Sequence, residues 1–313
     1  MASNFTIVNQ LPGILLRSLT SEFGDGVFYV DYGRRHWVRA SAWLARNGFS
    51  WADVIDVAPN ILYGFANGGA APLRVAEDLE GLGGTATSTD LREIAAAGLR
   101  GIGMEFGSGA SPFPVPLRCH MLYADAYSFD TLRSNMYQGQ THQQIVRPDF
   151  VTNLQTLKGV ADESLDFIVA CHVIEHTVSP ITALKSCWRA LKPGGDLILV
   201  VPDMRKTFDH ARESTSLQHL IEDYRAPSRE RDWHHFMEFY TKAFNVNVDA
   251  DIDTFISAKQ DAGADIHYHC WTYESFSEMV AWVAENGAAW SQVWSHPTLS
   301  GGGSDEFYFR LTK

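Results

Sequence analysis

The most regular pattern of apolar and polar positions in the chain lies between residues 165 and 203. An apolar run closes near Ala170, a polar stretch covers His172 to His176, and Ile181, Leu184, Trp188 and Leu191 then repeat at the spacing of one helical face. Lys192-Pro193-Gly194-Gly195 stops that helix, and the run 197–201 has little polar alternation, as expected of a strand covered on both faces. Two strands linked by one such helix lie parallel through a right-handed crossover. The pattern predicts an α/β layered domain with its ligand over the carboxyl ends of the strands, where His172, Glu175, His176 and Asp203 emerge.

Upstream, 103–106 is a short buried strand, followed by Gly107-Ser108-Gly109-Ala110-Ser111-Pro112; 121–124 is the next and ends at Asp125, and 151–154 is a third. Beyond 203, the stretches 217–224 and 233–244 have helical character on either side of Pro227. The connection to Trp271 is too long for a plain loop and predicts an inserted lid or acceptor subdomain over 203–271. A helix from Thr272 to near Gly287 and strands at 290–294 and 306–311, joined through Gly301-Gly302-Gly303, finish the sheet with one antiparallel edge. Residues 1–100 read as an attached accessory region. Its apolar positions 14–19 suit a docked surface helix, 27–30 a strand turned at Gly33, 37–47, 51–61 and 71–79 helical segments, and 90–99 a helix capped by Ser88 or Thr89.

Composition narrows the class. At 313 residues, with 45% hydrophobic and 20% charged positions, the chain suits a globular domain with an attachment. A formal net charge of -12 opposes nucleic-acid partners. Cys119, Cys171, Cys187 and Cys270 form no C-x-x-C pair and read as reduced thiols in a cytoplasmic protein. The N-terminal stretch has neither the charge pattern of a signal peptide nor the length of a membrane span.

The glycine pair 107 and 109 lets the backbone approach an adenosyl cofactor closely, with Ser108 between them and Glu105 facing the charged end. Asp125 is placed to accept from ribose hydroxyls, and Asn153 to meet an adenine edge or make an adjacent backbone contact. The segment lacks the full G-x-G-x-x-G dinucleotide pattern, since the residue three after Gly109 is Pro112. His210, His219, His234, His235, His267 and His269 crowd the insertion, but H-x-H without a remote acidic set is weak evidence for a metal, and none is assigned.

Taken in order, Glu105-Phe106-Gly107-Ser108-Gly109, Asp125, the segment 149–156, Ala170-Cys171-His172-Val173-Ile174-Glu175-His176 and Leu191-Lys192-Pro193-Gly194-Gly195 resemble class I S-adenosylmethionine-dependent methyltransferases, particularly the type 11 group. Asn153 departs from the acidic residue common at that position. The resemblance covers about residues 100–202 and implies a Rossmann-like sheet with helices on both faces and S-adenosylmethionine as cofactor, with His172 shaping its pocket. A closer likeness, through 201–209, 227–229 and 266–272, is to methyltransferases of bacterial polysaccharide and glycan biosynthesis. It implies O-methylation of a sugar, nucleotide-sugar or glycan-linked hydroxyl, with a non-sugar small molecule and a noncatalytic scaffold as alternatives, and is compatible with a homo-oligomer. For methyl transfer to an alcohol, His176 is the first candidate base and His172 the second, with an insertion histidine or Asp203 as the further ones. Asp203 and Arg205 are placed to position the acceptor, with Tyr224, His234 and Trp271 lining its pocket.

Overall fold

The structure, a computed structural model, describes residues 13–18, 26–31, 34–38, 44, 49–70, 87–116, 119–137, 145–249, 251–299 and 304–313. The expected helix at 71–79 and the turns at Gly33 and 301–303 lie outside these residues, as does most of 37–47.

Among the described residues the accessory region contains a sheet where helices were expected at 14–19 and within 51–61. Strands β1 (Ile14–Arg17), β2 (Val27–Asp31), β3 (Arg34–Trp37), β4 (Val54–Asp56) and β5 (Ala66–Ala70) assemble in the order β4-β1-β2-β3-β5. The docked helix expected at 14–19 is replaced by β1, which pairs antiparallel with β2 and parallel with β4. Leu15 and Leu16 are both buried but join different clusters, Leu15 with Val27 and Tyr29, Leu16 with Val30 and Leu62. Burial on both faces of a short strand removes the alternation that marks a strand in sequence. The helix expected over 51–61 divides into a turn at Trp51–Asp53, strand β4 and a short helix Pro59–Tyr63. Pairing with β1 outweighs local propensity there.

Strands β6 (Gly101–Phe106), β7 (Cys119–Asp125), β8 (Phe150–Val151), β9 (Leu165–Cys171), β10 (Leu191–Pro202), β11 (Gln292–His296) and β12 (Glu306–Thr312) form the main sheet in the order β11-β12-β10-β9-β6-β7-β8. Pairings from β8 to β10 are parallel, whereas β12 runs antiparallel to both β10 and β11. The antiparallel strand is therefore held inside the sheet, and β11 forms the edge. Both faces are covered. Ile168, Ala170, Leu197, Leu199 and Val201 pack with helices Pro180–Ala190 and Tyr273–Glu285, while Phe167, Val169, Ile198, Val200 and Tyr308 pack with helix Ser88–Ala96. That two-sided burial explains the unalternated strands. The Lys192–Gly195 segment falls within β10 as an irregularity, where the register to β9 shifts between Leu191 and Asp196.

The insertion begins and ends at one point, since Asp203 bridges Trp271 in parallel and the Met204 N–H donates to the Trp271 carbonyl at 2.9 Å. Between them lie helices Leu217–Arg225, Arg229–Glu238 and Ile252–Asp261. Phe236, Phe239, Ile252, Ile256 and Ile266 give this part its own small core. Among the described residues no helix is long and apolar enough to cross a membrane.

Candidate active site

The turn after β6 brings the backbone into a tight left-handed path, with φ of 67° at Gly107 and 50° at Gly109. A Cβ at Gly107 would sit 2.7 Å from Val173, and one at Gly109 would collide with the Tyr137 hydroxyl. Both positions need glycine. Beneath the turn Glu105 is buried; its Oε1 accepts from the Phe113 N–H at 2.9 Å, and its Oε2 has no partner. Burial pushes this carboxyl up to about 8, against the Phe113 N–H. At the end of β7, Asp125 Oδ1 accepts from the Tyr127 N–H at 2.9 Å. Burial raises its pKa as well, against the Tyr127 bond, and the charge of Asp265 adds to the rise. The hydroxyls of Ser108 and Thr152 are buried without partners. These orphaned polar atoms at one end of the sheet fit a cofactor carrying an ammonium group and ribose hydroxyls. Glu105 suits its cationic end and Asp125 its ribose.

Across from this cradle, the turn Ile174–His176 follows β9. Glu175 is buried with neither carboxylate oxygen hydrogen-bonded, while its carbonyl accepts from the Tyr268 N–H at 2.8 Å. That bond draws the end of the insertion over the strand ends. It brings Asp265 Oδ1 to 2.8 Å from His176 Nδ1, and His267 Nδ1 to 2.7 Å from Asp209 Oδ2. The two imidazoles meet edge to face with centroids 4.7 Å apart. Asp209 is fixed from behind by Arg212 at 2.9 Å, and Arg212 in turn bonds Glu238 at 3.0 Å and the carbonyls of His267 and Tyr268. Burial lowers the pKa of His176, but the Asp265 hydrogen bond and the Glu175 charge outweigh it and bring it to about 9. For Asp209 burial acts upward and is outweighed by His267 and Arg212, so the carboxylate stays ionised.

His172 has φ of 53°, unusual for a residue with a side chain, and its Nε2 lies 2.9 Å from Glu306. Glu306 also takes a two-pronged ion pair from Arg92, at 2.7 and 3.2 Å, and a hydrogen bond from the Tyr308 hydroxyl. Burial works upward on Glu306, yet His172 and Arg92 hold it down at about 2. His172 is thus tied to helix Ser88–Ala96 and β12 and shapes the strand end.

Other expected site residues sit elsewhere. Asp203 is fully enclosed; Arg205 donates to its carboxylate at 2.6 and 2.8 Å and Thr298 at 2.8 Å, a clamp at the base of the insertion rather than an available base. Arg205 itself is half-exposed and reaches toward Glu274 at 3.8 Å. Asn153 Oδ1 accepts from the Thr156 N–H and hydroxyl, both at 2.9 Å, and so closes a local turn. Tyr224 packs against Trp282, with its hydroxyl 3.0 Å from Lys185. His234 is exposed against Trp233, and Trp271 is completely buried against Phe276. Neighbours of these residues meet at the strand ends instead. His267 is one of the insertion histidines visible in the sequence, whereas nothing local in the sequence marks Asp209 as its partner or Asp265 as that of His176.

A family model described as Methyltransferase domain matches residues 104–199, the span from β6 into β10. No curated protein sequence matches the chain. Similar solved structures include an S-adenosylmethionine-dependent methyltransferase, possible histamine N-methyltransferase, from Thermotoga maritima, at 19% identity over 68% of this chain and 82% of that one, with TM-score 0.35. A methyltransferase from Methanosarcina mazei shares 17% identity over 68% and 92%, with TM-score 0.34. A putative methyltransferase from Bacillus halodurans shares 12% over 73% and 99%, with TM-score 0.37. The glycine turn, the carboxylate after β7 and the Glu175–His176 turn all fall inside the matched span, and that part of the chain is similar to a methyltransferase domain.

Proposed function

We propose that the chain is an S-adenosylmethionine-dependent methyltransferase acting on a hydroxyl of a small acceptor, with His267 as the base. The single observation that carries this reading is the pair His267–Asp209, set edge to face against His176–Asp265 above the cofactor strands. A carboxylate on Nδ1 fixes the imidazole tautomer and leaves Nε2 to accept a proton. A neutral amine is nucleophilic without such a group; an alcohol gains from one. The bound cofactor supplies an electrophilic methyl group. With that cofactor bound, its sulfur–methyl bond would break as the acceptor oxygen is methylated, leaving a neutral thioether; His267 would take the acceptor proton at Nε2, and Asp209, held by Arg212, would stabilise the resulting imidazolium. His176, kept protonated by Asp265 and Glu175, orients the acceptor oxygen through its other ring nitrogen. This assignment moves the base from His176, the first candidate in the sequence, because a group with a pKa of about 9 is mostly protonated at neutral pH.

The acceptor is a small hydroxylated molecule. A saccharide hydroxyl is the narrower form of this reading and rests on the resemblance of 201–209, 227–229 and 266–272. Labelled methyl donor offered with a panel of phenols, polyols and nucleotide-sugars, followed by mass-spectrometric localisation, tests both levels. Label confined to nitrogen or carbon rejects the hydroxyl reading, and label on a non-sugar alcohol alone rejects the saccharide. Cofactor binding without transfer to the native acceptor would point to a scaffold. The rate is expected to fall as pH rises through about 9, where His176 loses its proton.

A further inference from the structure

We propose that the insertion binds one divalent cation of the zinc class through His219, Asp223, His235 and His269, a four-ligand set that fastens its helices to the segment carrying His267. The proposal does not depend on the acceptor reading. Donor atoms of these four residues all lie within 4.8 Å of one another. Asp223 Oδ2 is 3.0 Å from His219 Nε2, 3.2 Å from His235 Nε2 and 3.8 Å from His269 Nε2, and the first two nitrogens are 3.5 Å apart. With metal–ligand lengths of about 2.0–2.1 Å, a tetrahedral set spaces its donor atoms about 3.3 Å apart, so the cluster already has the dimensions of such a site. Three imidazoles and one carboxylate are ligands suited to zinc.

The hydrogen bonding makes the same point. Asp223 Oδ2 is buried and accepts no aligned hydrogen bond, although three ring nitrogens crowd it, and His269 Nδ1 is buried without a partner. A buried network with such gaps is costly unless something fills its centre. The other oxygen, Oδ1, accepts from Arg231 Nε at 2.6 Å, an outer bond that turns Oδ2 inward as metal-ligating carboxylates require. His269 Nε2 lies 3.1 Å from the Val178 carbonyl, a contact it would exchange for the ion. Asp223, His235 and His269 are at most 3% exposed, whereas the His219 side chain is 43% exposed and provides the way in.

The ligands come from three places. His219 and Asp223 lie one turn apart on Leu217–Arg225, His235 comes from Arg229–Glu238, and His269 from the closing segment whose neighbour Tyr268 is bonded to the Glu175 carbonyl. An ion here would hold that segment, and with it His267, over the sheet.

The test is metal uptake by the full chain, stripped with a chelator and then titrated with Zn²⁺ against a chromophoric competitor and separately with Co²⁺. One equivalent of Zn²⁺, a raised unfolding temperature, and Co²⁺ bands of four-coordinate intensity are expected. Asp223→Asn and His235→Gln should abolish those bands. The milder Arg231→Gln, which removes the outer bond and an exposed contact to Glu222 but no ligand, should weaken affinity by about 10–100-fold. His267→Gln should leave uptake intact. Folded wild-type protein that takes up neither ion would overturn the proposal. So would uptake lost in His267→Gln but retained in Asp223→Asn, since it would place the ion at the other pair of imidazoles.

Discussion

Tyr268 separates two histidines that enter opposite environments. His267 points to the strand ends, where each imidazole has its own carboxylate. His269 turns into the insertion, where three imidazoles share one carboxylate oxygen and only His219 reaches the surface. The difference lies in pairing rather than composition. One carboxylate per imidazole fixes a tautomer and supports proton transfer, whereas several imidazoles converging on one oxygen leave lone pairs that a cation satisfies. Histidine content alone does not distinguish a reactive site from a holding one.

The largest expected effect falls on the reactive side. His267→Ala should lower kcat by about 10²–10⁴-fold, the usual worth of a positioned base, with cofactor affinity almost unchanged; a normal kcat measured beside calorimetric binding would remove His267 from the chemistry. On the packed side, Trp271→Ala should cost about 3–5 kcal/mol of stability, since the side chain is fully buried at the root of the insertion. Denaturant unfolding reads this directly, and selective loss of turnover without loss of stability would restore Trp271 to the acceptor pocket.

Smaller effects concern the cofactor cradle. Replacing Asp125 by Asn should weaken S-adenosylmethionine binding by roughly tenfold, the scale of one charge-assisted hydrogen bond; equal affinities would show that the carboxylate does not touch the ribose. Glu105 adds a pH dependence of known sign. Its carboxyl titrates near 8 in the free protein, so it is mostly neutral below that pH and must release its proton to face a cationic ligand. Affinity should therefore rise by a few-fold as pH increases from about 6 toward about 8, above which the ligand's own α-ammonium loses its proton. That rise should vanish in Glu105→Gln, and a flat profile in the parent protein would separate Glu105 from the cofactor.

Much of the main sheet is legible in the sequence because its strands and helices repeat at their own periods and are punctuated by Gly107, Gly109 and Lys192–Gly195. The accessory sheet is not. Leu15 and Leu16 are buried side by side on a four-residue strand, so β1 has no alternation to read, and β4 is held by its parallel pairing with β1 rather than by its own pattern. In the insertion, the helical spacing at 217–224 and 233–244 is visible, but not which histidine of the pair 234 and 235 turns inward. Packing of Phe236 and Phe239 decides that, burying His235 and leaving His234 outside.

By itself the sequence determined the layered α/β domain, and the glycine turn and Asp125 at its strand ends. Each depends on residues within a few positions of one another, where period and turn geometry act directly. Tertiary structure alone decided which charged groups meet. His172 finds Glu306 and Arg92, His176 finds Asp265, and His267 finds Asp209 across sequence separations that carry no local constraint. Those meetings follow from the bridge between Asp203 and Trp271 and from the Tyr268 bond to Glu175, which fold the insertion back onto the sheet and bring distant side chains within hydrogen-bonding distance.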